Sequence, residues 1–165
     1  MTGGRYDISR LASEYYDAVF RFCARRVGPD RAGDAAQETF LTAQKVLKKF
    51  RGESSIGTWL FGIANNECRR IARRERIQPM QLVFEAQLLS ESCAERVVDL
   101  QTLRDAMSRL SVEHREAIML HELDGLTYEE AALVAGVPVG TVKSRLHHAF
   151  AQLRKLVLDP MEETV

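Results

Sequence analysis

Cationic and amide side chains are the groups of this sequence whose types and spacing best fit a chemical task. Five arginines occur between Arg69 and Arg76, and Asn65 and Asn66 lie one helical turn before the first of them. Arginines three and four residues apart share one side of a helix and can follow a phosphate backbone. An asparagine amide can bond a base edge through two contacts. The stretch therefore indicates a contact with nucleic acid, the alternative being solvated arginines and merely polar asparagines.

Two aromatic residues, Trp59 and Phe61, precede this group in the same stretch. A ring face can receive an unstacked base, but an aromatic residue at helical spacing can equally belong to the core. For Trp59 taken alone, core packing is the preferred interpretation.

A second cationic group follows a compact turn in the last third of the chain. Its members are Lys143, Ser144, Arg145, His147 and His148, with Arg154 and Lys155 further along. A helix with a basic N-terminal half can enter the major groove of DNA, where base edges are accessible. An ordinary helical hairpin with a solvated basic face is the alternative.

The residues before this second group have the chemistry of a helix-turn-helix. Thr127 and Glu130 fit a capping box, which predicts a short helix just after Thr127. Gly136 suits a tight turn, and Pro138 is tolerated at the start of a second helix, expected over 139–153. The three positions that let two such helices cross closely hold a small residue, a glycine and a branched residue: Ala132, Gly136 and Val142. Turn chemistry, small residues and charge agree, which favours a DNA-binding unit over a plain hairpin.

Patterns typical of enzymes and metal sites are missing from the sequence. It contains no Gly-rich phosphate loop, no nucleophile elbow and no zinc-protease histidine motif. His114 and His121 would stand about 10 Å apart on a helix, and His147 and His148 would diverge by about 100°. Neither pair completes a metal site without further ligands. We therefore expect no catalytic residue, no metal, no cofactor and no small-molecule substrate.

Amphipathic helical patterns account for most of the chain, and no strand pattern occurs. Before the helix-turn-helix, apolar residues recur at helical spacing over five stretches: 8–26, 31–50, 56–76, 97–110 and 112–123. The intervening 77–95 has no lysine or arginine and is interpreted as a linker. These patterns predict an all-α protein made of two small helical bundles joined by a linker, the C-terminal bundle containing the helix-turn-helix. The predicted divisions are 1–78, a linker over 79–96, and 97–165.

Charge, cysteine content and hydrophobicity indicate how tightly the chain binds DNA and in which compartment of the cell it lies. The chain has 23 basic and 23 acidic residues, so its net charge is zero, and we expect weak DNA binding without a partner. Three widely spaced cysteines without a Cys-x-x-Cys pair indicate reduced thiols. No signal peptide is recognisable at the N-terminus, and no apolar run reaches the roughly 20 residues of a membrane helix. We expect a cytoplasmic protein that does not insert into a membrane.

Three motifs occur in order along the chain. The first is 34–41 (DAAQETFL); the second combines 50–52 (FRG), 58–60 (TWL), 63–64 (IA) and Asn66; the third combines 127–132 (TYEEAA) and 140–146 (GTVKSRL). In this order and spacing they resemble the extracytoplasmic-function (ECF) sigma factors, the small bacterial initiation factors of RNA polymerase. The resemblance covers nearly the whole chain. One departure is that His147 and His148 stand where the family frequently has aromatic and arginine residues.

The resemblance implies three sets of contacts. Residues at or behind the contact with the clamp helices of the polymerase largest subunit would be Asp34, Gln37, Glu38, Phe40 and Leu41. Residues that hold a flipped base of the promoter −10 element and its phosphates would be Trp59, Asn65, Asn66, Arg69, Arg70 and Arg73. Residues that face the −35 duplex would be Thr141, Lys143, Ser144, Arg145, His147 and His148.

The function implied by the resemblance is transcription initiation. Such a protein binds the clamp helices and the flap of core RNA polymerase. It then directs the polymerase to promoters by capturing and melting the −10 element and by reading the −35 duplex. An anti-sigma factor would block both domains until a signal removes it. The alternative is a stand-alone helix-turn-helix regulator that reads an operator, which would leave Trp59, Asn66 and the arginines without a task.

Overall fold

The computed structural model describes residues 6–77 and 100–158, which belong to two compact units, one on either side of the intervening stretch. Both described ranges are built from helices and contain no strand, so the all-α prediction is confirmed. The predicted linker over 79–96 lies outside the described residues, as does Cys93, and the predicted domain boundaries stay predictions. None of the helices described is long and apolar enough to cross a membrane.

Residues 6–77, the described part of the first unit, form a bundle of three α-helices. They are α1 (Ile8–Val27), α2 (Pro29–Val46) and α3 (Ile56–Glu75), with a 3-10 turn at Leu47–Lys49, and each helix contacts the other two. Gly28, at φ +83°, ends α1, and Pro29 begins α2 directly after it. Ser55 caps α3 by accepting a hydrogen bond from the Thr58 amide at 3.0 Å. These local signals set the helix bounds close to those that the periodicity predicts.

The second helix is shorter than the predicted 31–50. It ends at Val46, and the chain tightens into the 3-10 turn before Phe50 adopts an extended conformation. Tightening of a last turn satisfies terminal carbonyl groups that an α-helix leaves unpaired. As a result Phe50 leaves the axis of α2, and its ring packs on Trp59 of α3.

The described part of the second unit, residues 100–158, contains four α-helices. They are α4 (Leu100–Ser108), α5 (Val112–Ile118), α6 (Tyr128–Ala135) and α7 (Val139–Leu158), and α7 contacts each of the other three. The predicted helix over 112–123 has the expected extent, but its last part, Met119–Leu123, is π-helical. The Asp124 amide donates to the Met119 carbonyl at 2.9 Å, which closes a wider turn than an α-helix has. Side-chain periodicity does not reveal this change of winding.

Candidate nucleic-acid interface

Trp59 stands in the first turn of α3 as part of an aromatic cluster. Its ring centroid lies 5.1 Å from that of Phe50, which in turn meets Tyr6 edge-on at 5.7 Å. Trp59 is half-buried, so part of its ring remains at the surface. Phe61 is also half-buried, and it stacks on the buried Phe22 with centroids 4.9 Å apart. Both aromatic residues therefore pack against the bundle while keeping some exposure.

Asn65 and Asn66 point about 100° apart around α3 and have different surroundings. Asn66 is exposed, whereas Asn65 is 1% exposed and its Oδ1 accepts a hydrogen bond from Arg26 Nε at 3.2 Å. Arg26 also donates to the Phe22 carbonyl at 3.0 Å. The structure thus contradicts the predicted base contact of Asn65, because its amide is inside the bundle and already engaged. The spacing of the residues could have indicated this burial, because Asn65 lies four residues after Phe61 and so shares its inward side of the helix.

The arginines at the end of α3 differ in their surroundings. Arg70 donates to Glu67 through Nη2 at 2.6 Å and through Nε at 2.9 Å, and this bond raises the pKa of Arg70. Arg69 is half-buried, while Arg73 is exposed. The row of arginines predicted to follow a phosphate backbone is therefore partly neutralised by acidic side chains. Arg73 keeps its guanidinium on the outer surface.

The exposed face of α2 carries the residues predicted to meet the polymerase. Asp34, Gln37 and Glu38 are exposed, and Leu41 is 42% exposed. Phe40 is buried beneath this face, where its ring stacks near Tyr16 at 6.3 Å. A shallow groove of about 520 Å³ runs between α1 and α2, lined by Ile8, Ala12, Tyr16, Gly33, Gln37, Phe40, Leu41 and Gln44. The face combines an apolar floor with polar edges, a combination suited to another protein surface.

The turn between α6 and α7 has the predicted geometry. Thr127 Oγ1 accepts from the Glu130 amide at 3.1 Å, and Glu130 Oε2 accepts from the Thr127 amide at 2.9 Å, which completes the capping box. Gly136 adopts the left-handed conformation at φ +72°, and its amide donates to the Ala132 carbonyl at 2.9 Å. The first helix of the helix-turn-helix is thus fixed at its start by the capping box and at its end by the bond from Gly136.

Helix α7 separates an apolar stripe from a polar face. The stripe predicted from the sequence is buried in the second unit: Val142, Leu146, Ala149 and Leu153. Four of the predicted −35 residues are exposed: Lys143, Ser144, His147 and His148. The other two, Thr141 and Arg145, are half-buried. The structure therefore gathers the exposed members on the side of α7 that faces away from its unit's core.

Aromatic residues outside α7 contact this polar face, and they were not among the predicted site residues. Lys143 Nζ lies 5.3 Å from the centre of the Tyr128 ring, within cation–π range. Tyr128 stacks on His121 at 4.4 Å, and the His121 ring is hydrogen-bonded through Nδ1 to the Leu126 carbonyl oxygen at 2.7 Å. His148 has a similar neighbour in His114 of α5. Such contacts join separate helices, so the spacing of residues within one helix does not reveal them.

Both cysteines in the described part of the chain are buried. Cys23 and Cys68 are 0% and 2% exposed, and the hydrogen bond between them, together with burial, raises the pKa of the Cys23 thiol. A thiol held in its neutral form is a poor nucleophile and a poor metal ligand. Within 6–77 and 100–158, no cluster of three or more histidine, cysteine, aspartate or glutamate side chains is arranged to hold a metal ion.

Comparison with known proteins matches both units. The family models for Sigma-70 region 2 and Sigma-70 region 4 match residues 11–77 and 100–153. The RNA polymerase sigma factor YlaC of Bacillus subtilis is 31% identical over 167 residues, 96% of each chain. The ECF RNA polymerase sigma-E factor of Salmonella typhimurium is 34% identical over 161 residues, 89% of this chain and 84% of the relative. The sigma factor RpoE from Bartonella quintana, solved with the anti-sigma factor NepR, aligns with a TM-score of 0.65 and 28% identity over 93% of this chain and 98% of RpoE. The chain therefore belongs to the sigma-70 family, as an ECF sigma factor.

Proposed function

We propose that this chain is a transcription initiation factor that brings core RNA polymerase to promoters, without catalysis of its own. The observation that carries the proposal is the exposed face of α7, the second helix of a compact helix-turn-helix, where Lys143, Ser144, His147 and His148 lie together. A helix of this kind fits the major groove, and its polar side chains can bond base edges of a −35 duplex. Arg145, being half-buried, is suited to hold the DNA backbone close to the turn.

The first unit is proposed to hold a separated strand of the −10 element. Asn66 is exposed on α3 and can bond the edge of a flipped base, while the partly exposed ring of Trp59 lies nearer the start of the same helix. Arg73 is exposed, and Arg69 is half-buried one turn earlier, so both can approach phosphates. Asn65 has no part in this contact.

Core polymerase is proposed to bind the outer face of α2. Gln37, Glu38 and Leu41 are exposed there, above the groove between α1 and α2. A neutral chain has little long-range attraction for DNA, so the polymerase must supply much of the affinity. The structure of RpoE with the anti-sigma factor NepR supports an anti-sigma partner for this chain as well.

Reconstitution with bacterial core polymerase tests the proposal. The chain is mixed with core enzyme and a library of promoter fragments, and the transcripts are sequenced. We expect transcripts that begin at fixed distances from a shared −35 and −10 motif. Lys143→Ala should weaken use of the −35 motif, because a good base contact contributes ~1–3 kcal/mol of discrimination. Lys155→Ala is the matched control, since Lys155 is exposed near the end of the same helix, about three turns further on.

The same experiment distinguishes an initiation factor from a stand-alone helix-turn-helix regulator. A stand-alone regulator would bind duplex operator DNA tightly without core polymerase and would yield no promoter-specific transcripts. Additivity between Lys143→Ala and base changes in the −35 motif would contradict the assigned base contact, because two changes that remove one contact cannot cost twice.

A further inference from the structure

Three histidines from two helices meet at one edge of the α7 polar face. The centroids of the His114 and His148 rings lie 6.3 Å apart with their planes 23° apart, which is a stacked arrangement. His147 meets His148 edge-on, with centroids 5.5 Å apart and planes at 73°. His148 is therefore flanked by one ring from α5 and one from its own helix.

His114 is itself held in place. Its backbone amide donates to the Ser111 hydroxyl at 3.2 Å, as part of the cap of α5. Its side chain is half-buried, and Nδ1 is buried without a hydrogen-bond partner in the described part of the chain. The ring is thus oriented by packing, with its Nδ1 edge turned into the protein. It is a fixed surface against which an exposed neighbour can lie.

His148 by contrast is exposed, and it shares a helix face with Ser144, four residues earlier. An exposed side chain must lose rotamer freedom when it binds a base edge, and a ring already stacked has lost part of that freedom before binding. Contact with His114 therefore reduces the cost of ordering His148 in the complex.

We propose that His114 is a positioning residue, which orients His148 for base reading in the −35 duplex. This inference rests on the proposed −35 function of α7. His114 acts through His148 rather than by touching DNA, so its effect must depend on the presence of His148. It must also depend on a flat ring at position 114, and not on the ring nitrogens.

The test uses holoenzyme reconstituted from the full chain and a duplex library randomised over the −35 element. Selection by the wild type defines a preferred duplex, and dissociation constants for that duplex are then measured for the variants. These are His114→Ala, His114→Phe, His114→Leu, His148→Ala and the double variant His114→Ala with His148→Ala. Phenylalanine keeps a ring that can stack, whereas leucine fills a similar space without one. Neither removes a hydrogen bond of Nδ1 to a described residue, so both should fold.

We expect His114→Ala and His114→Leu to weaken binding by about threefold to tenfold, the range of an aromatic pair. Both should relax base preference at the positions that His148→Ala relaxes, and His114→Phe should stay within about twofold of wild type. In the His148→Ala background the loss from His114→Ala should fall below about twofold.

Three results would overturn the inference. An undiminished loss in the His148→Ala background would mean that His114 contacts DNA by itself. Equal losses for His114→Phe and His114→Leu would exclude stacking, and no loss for His114→Ala would exclude any role. Lys143→Ala, measured on the same duplex, separates this inference from the −35 function on which it rests. If Lys143→Ala and His148→Ala both bind the selected duplex as the wild type does, the −35 function itself has failed; if only the coupling between His114 and His148 is absent, positioning alone has failed.

Discussion

Asn65 and Asn66 are identical neighbours in the sequence and differ in their surroundings. Asn66 is exposed, while Asn65 lies in the bundle, where it accepts a hydrogen bond from Arg26. A buried polar group that is paired stabilises a fold chiefly because removal of its partner leaves an unsatisfied group behind. One asparagine is therefore available to DNA, and the other holds α3 against α1.

This difference predicts separate consequences for the two alanine variants. Asn65→Ala should lower the free energy of unfolding by about 1–3 kcal/mol, because Arg26 Nε loses this buried acceptor. Asn66→Ala should change it by less than ~0.5 kcal/mol, as expected at an exposed site, and should instead reduce −10 melting. Urea unfolding measures the first effect, and permanganate reactivity of promoter thymines measures the second. Equal stability of the two variants would contradict the assignment.

Glu75 provides a pH-dependent contact in the same helix. Hydrogen bonds from Arg31 and Arg74 lower the pKa of Glu75 below its ordinary value. A carboxyl group whose folded pKa is lowered adds stability above its unfolded pKa, and that stability is lost as the pH falls through the folded value. Glu75→Gln should therefore melt below wild type at pH 7. The difference should shrink as the pH falls below the ordinary glutamate pKa of about 4.3, and disappear below the lowered pKa of folded Glu75. Melting temperatures across this range test it, with the exposed Glu53→Gln as the matched control.

At the scale of the elements, the helix-turn-helix depends on one residue of unusual backbone conformation. Gly136 ends α6 at φ +72°, where an L side chain is strained even though space for a Cβ is open. The α6 start is held by the capping box, and α7 begins three residues after the glycine. The direction in which α7 leaves the turn thus depends on the left-handed backbone at Gly136 as well as on the packing of the apolar stripe of α7.

Gly136→Ala should destabilise the protein by about 1–2 kcal/mol, because alanine is disfavoured in the left-handed region. Gly140→Ala is the matched control: Gly140 lies in the first turn of α7 and is also unobstructed, and alanine there should favour the helix by at most about 0.5–1 kcal/mol, the value for a helix interior. We expect Gly136→Ala to lower the melting temperature in thermal unfolding and Gly140→Ala to raise it. Destabilisation by both substitutions would mean that crowding, and not backbone strain, sets this turn.

At the scale of the whole molecule, the net charge is zero, so the attraction to DNA phosphates depends on where the charged side chains lie. Acidic side chains lie among the arginines of α3, since Glu67 binds Arg70 and Glu75 binds Arg74. Arg73 is exposed between them. Salt dependence of promoter binding reports how many cations meet phosphates, whatever the net charge.

Arg73→Ala should reduce the slope of log affinity against log salt for the open complex by about 0.7, the value for one phosphate of a single strand. Arg70→Ala should change it less, because Glu67 already neutralises Arg70 at 2.6 Å. Filter binding of holoenzyme to a melted promoter over a salt series gives both slopes. Identical shifts would show that the ion pair with Glu67 opens in the complex.

Local features of the sequence were enough to predict the helices and the turn. The apolar stripe of α7, the capping box at Thr127 and the glycine at 136 act over a few residues, so their chemistry can be read without knowledge of the fold. The family also followed from short motifs, since each motif is a local arrangement of residue types. The fold class and most exposed members of the proposed site were predictable for this reason.

Only the tertiary structure decided which side chains are available. Whether Asn65 faces solvent depends on α1, and whether His148 has a stacking partner depends on α5. The pairing of Arg70 with Glu67 is a local contact, but Glu38 of α2 also lies 3.9 Å from Arg70. Helical periodicity within one segment indicates which side of a helix is apolar and faces the core. It does not indicate which side chain of another helix a polar residue meets, because that contact depends on how the helices pack.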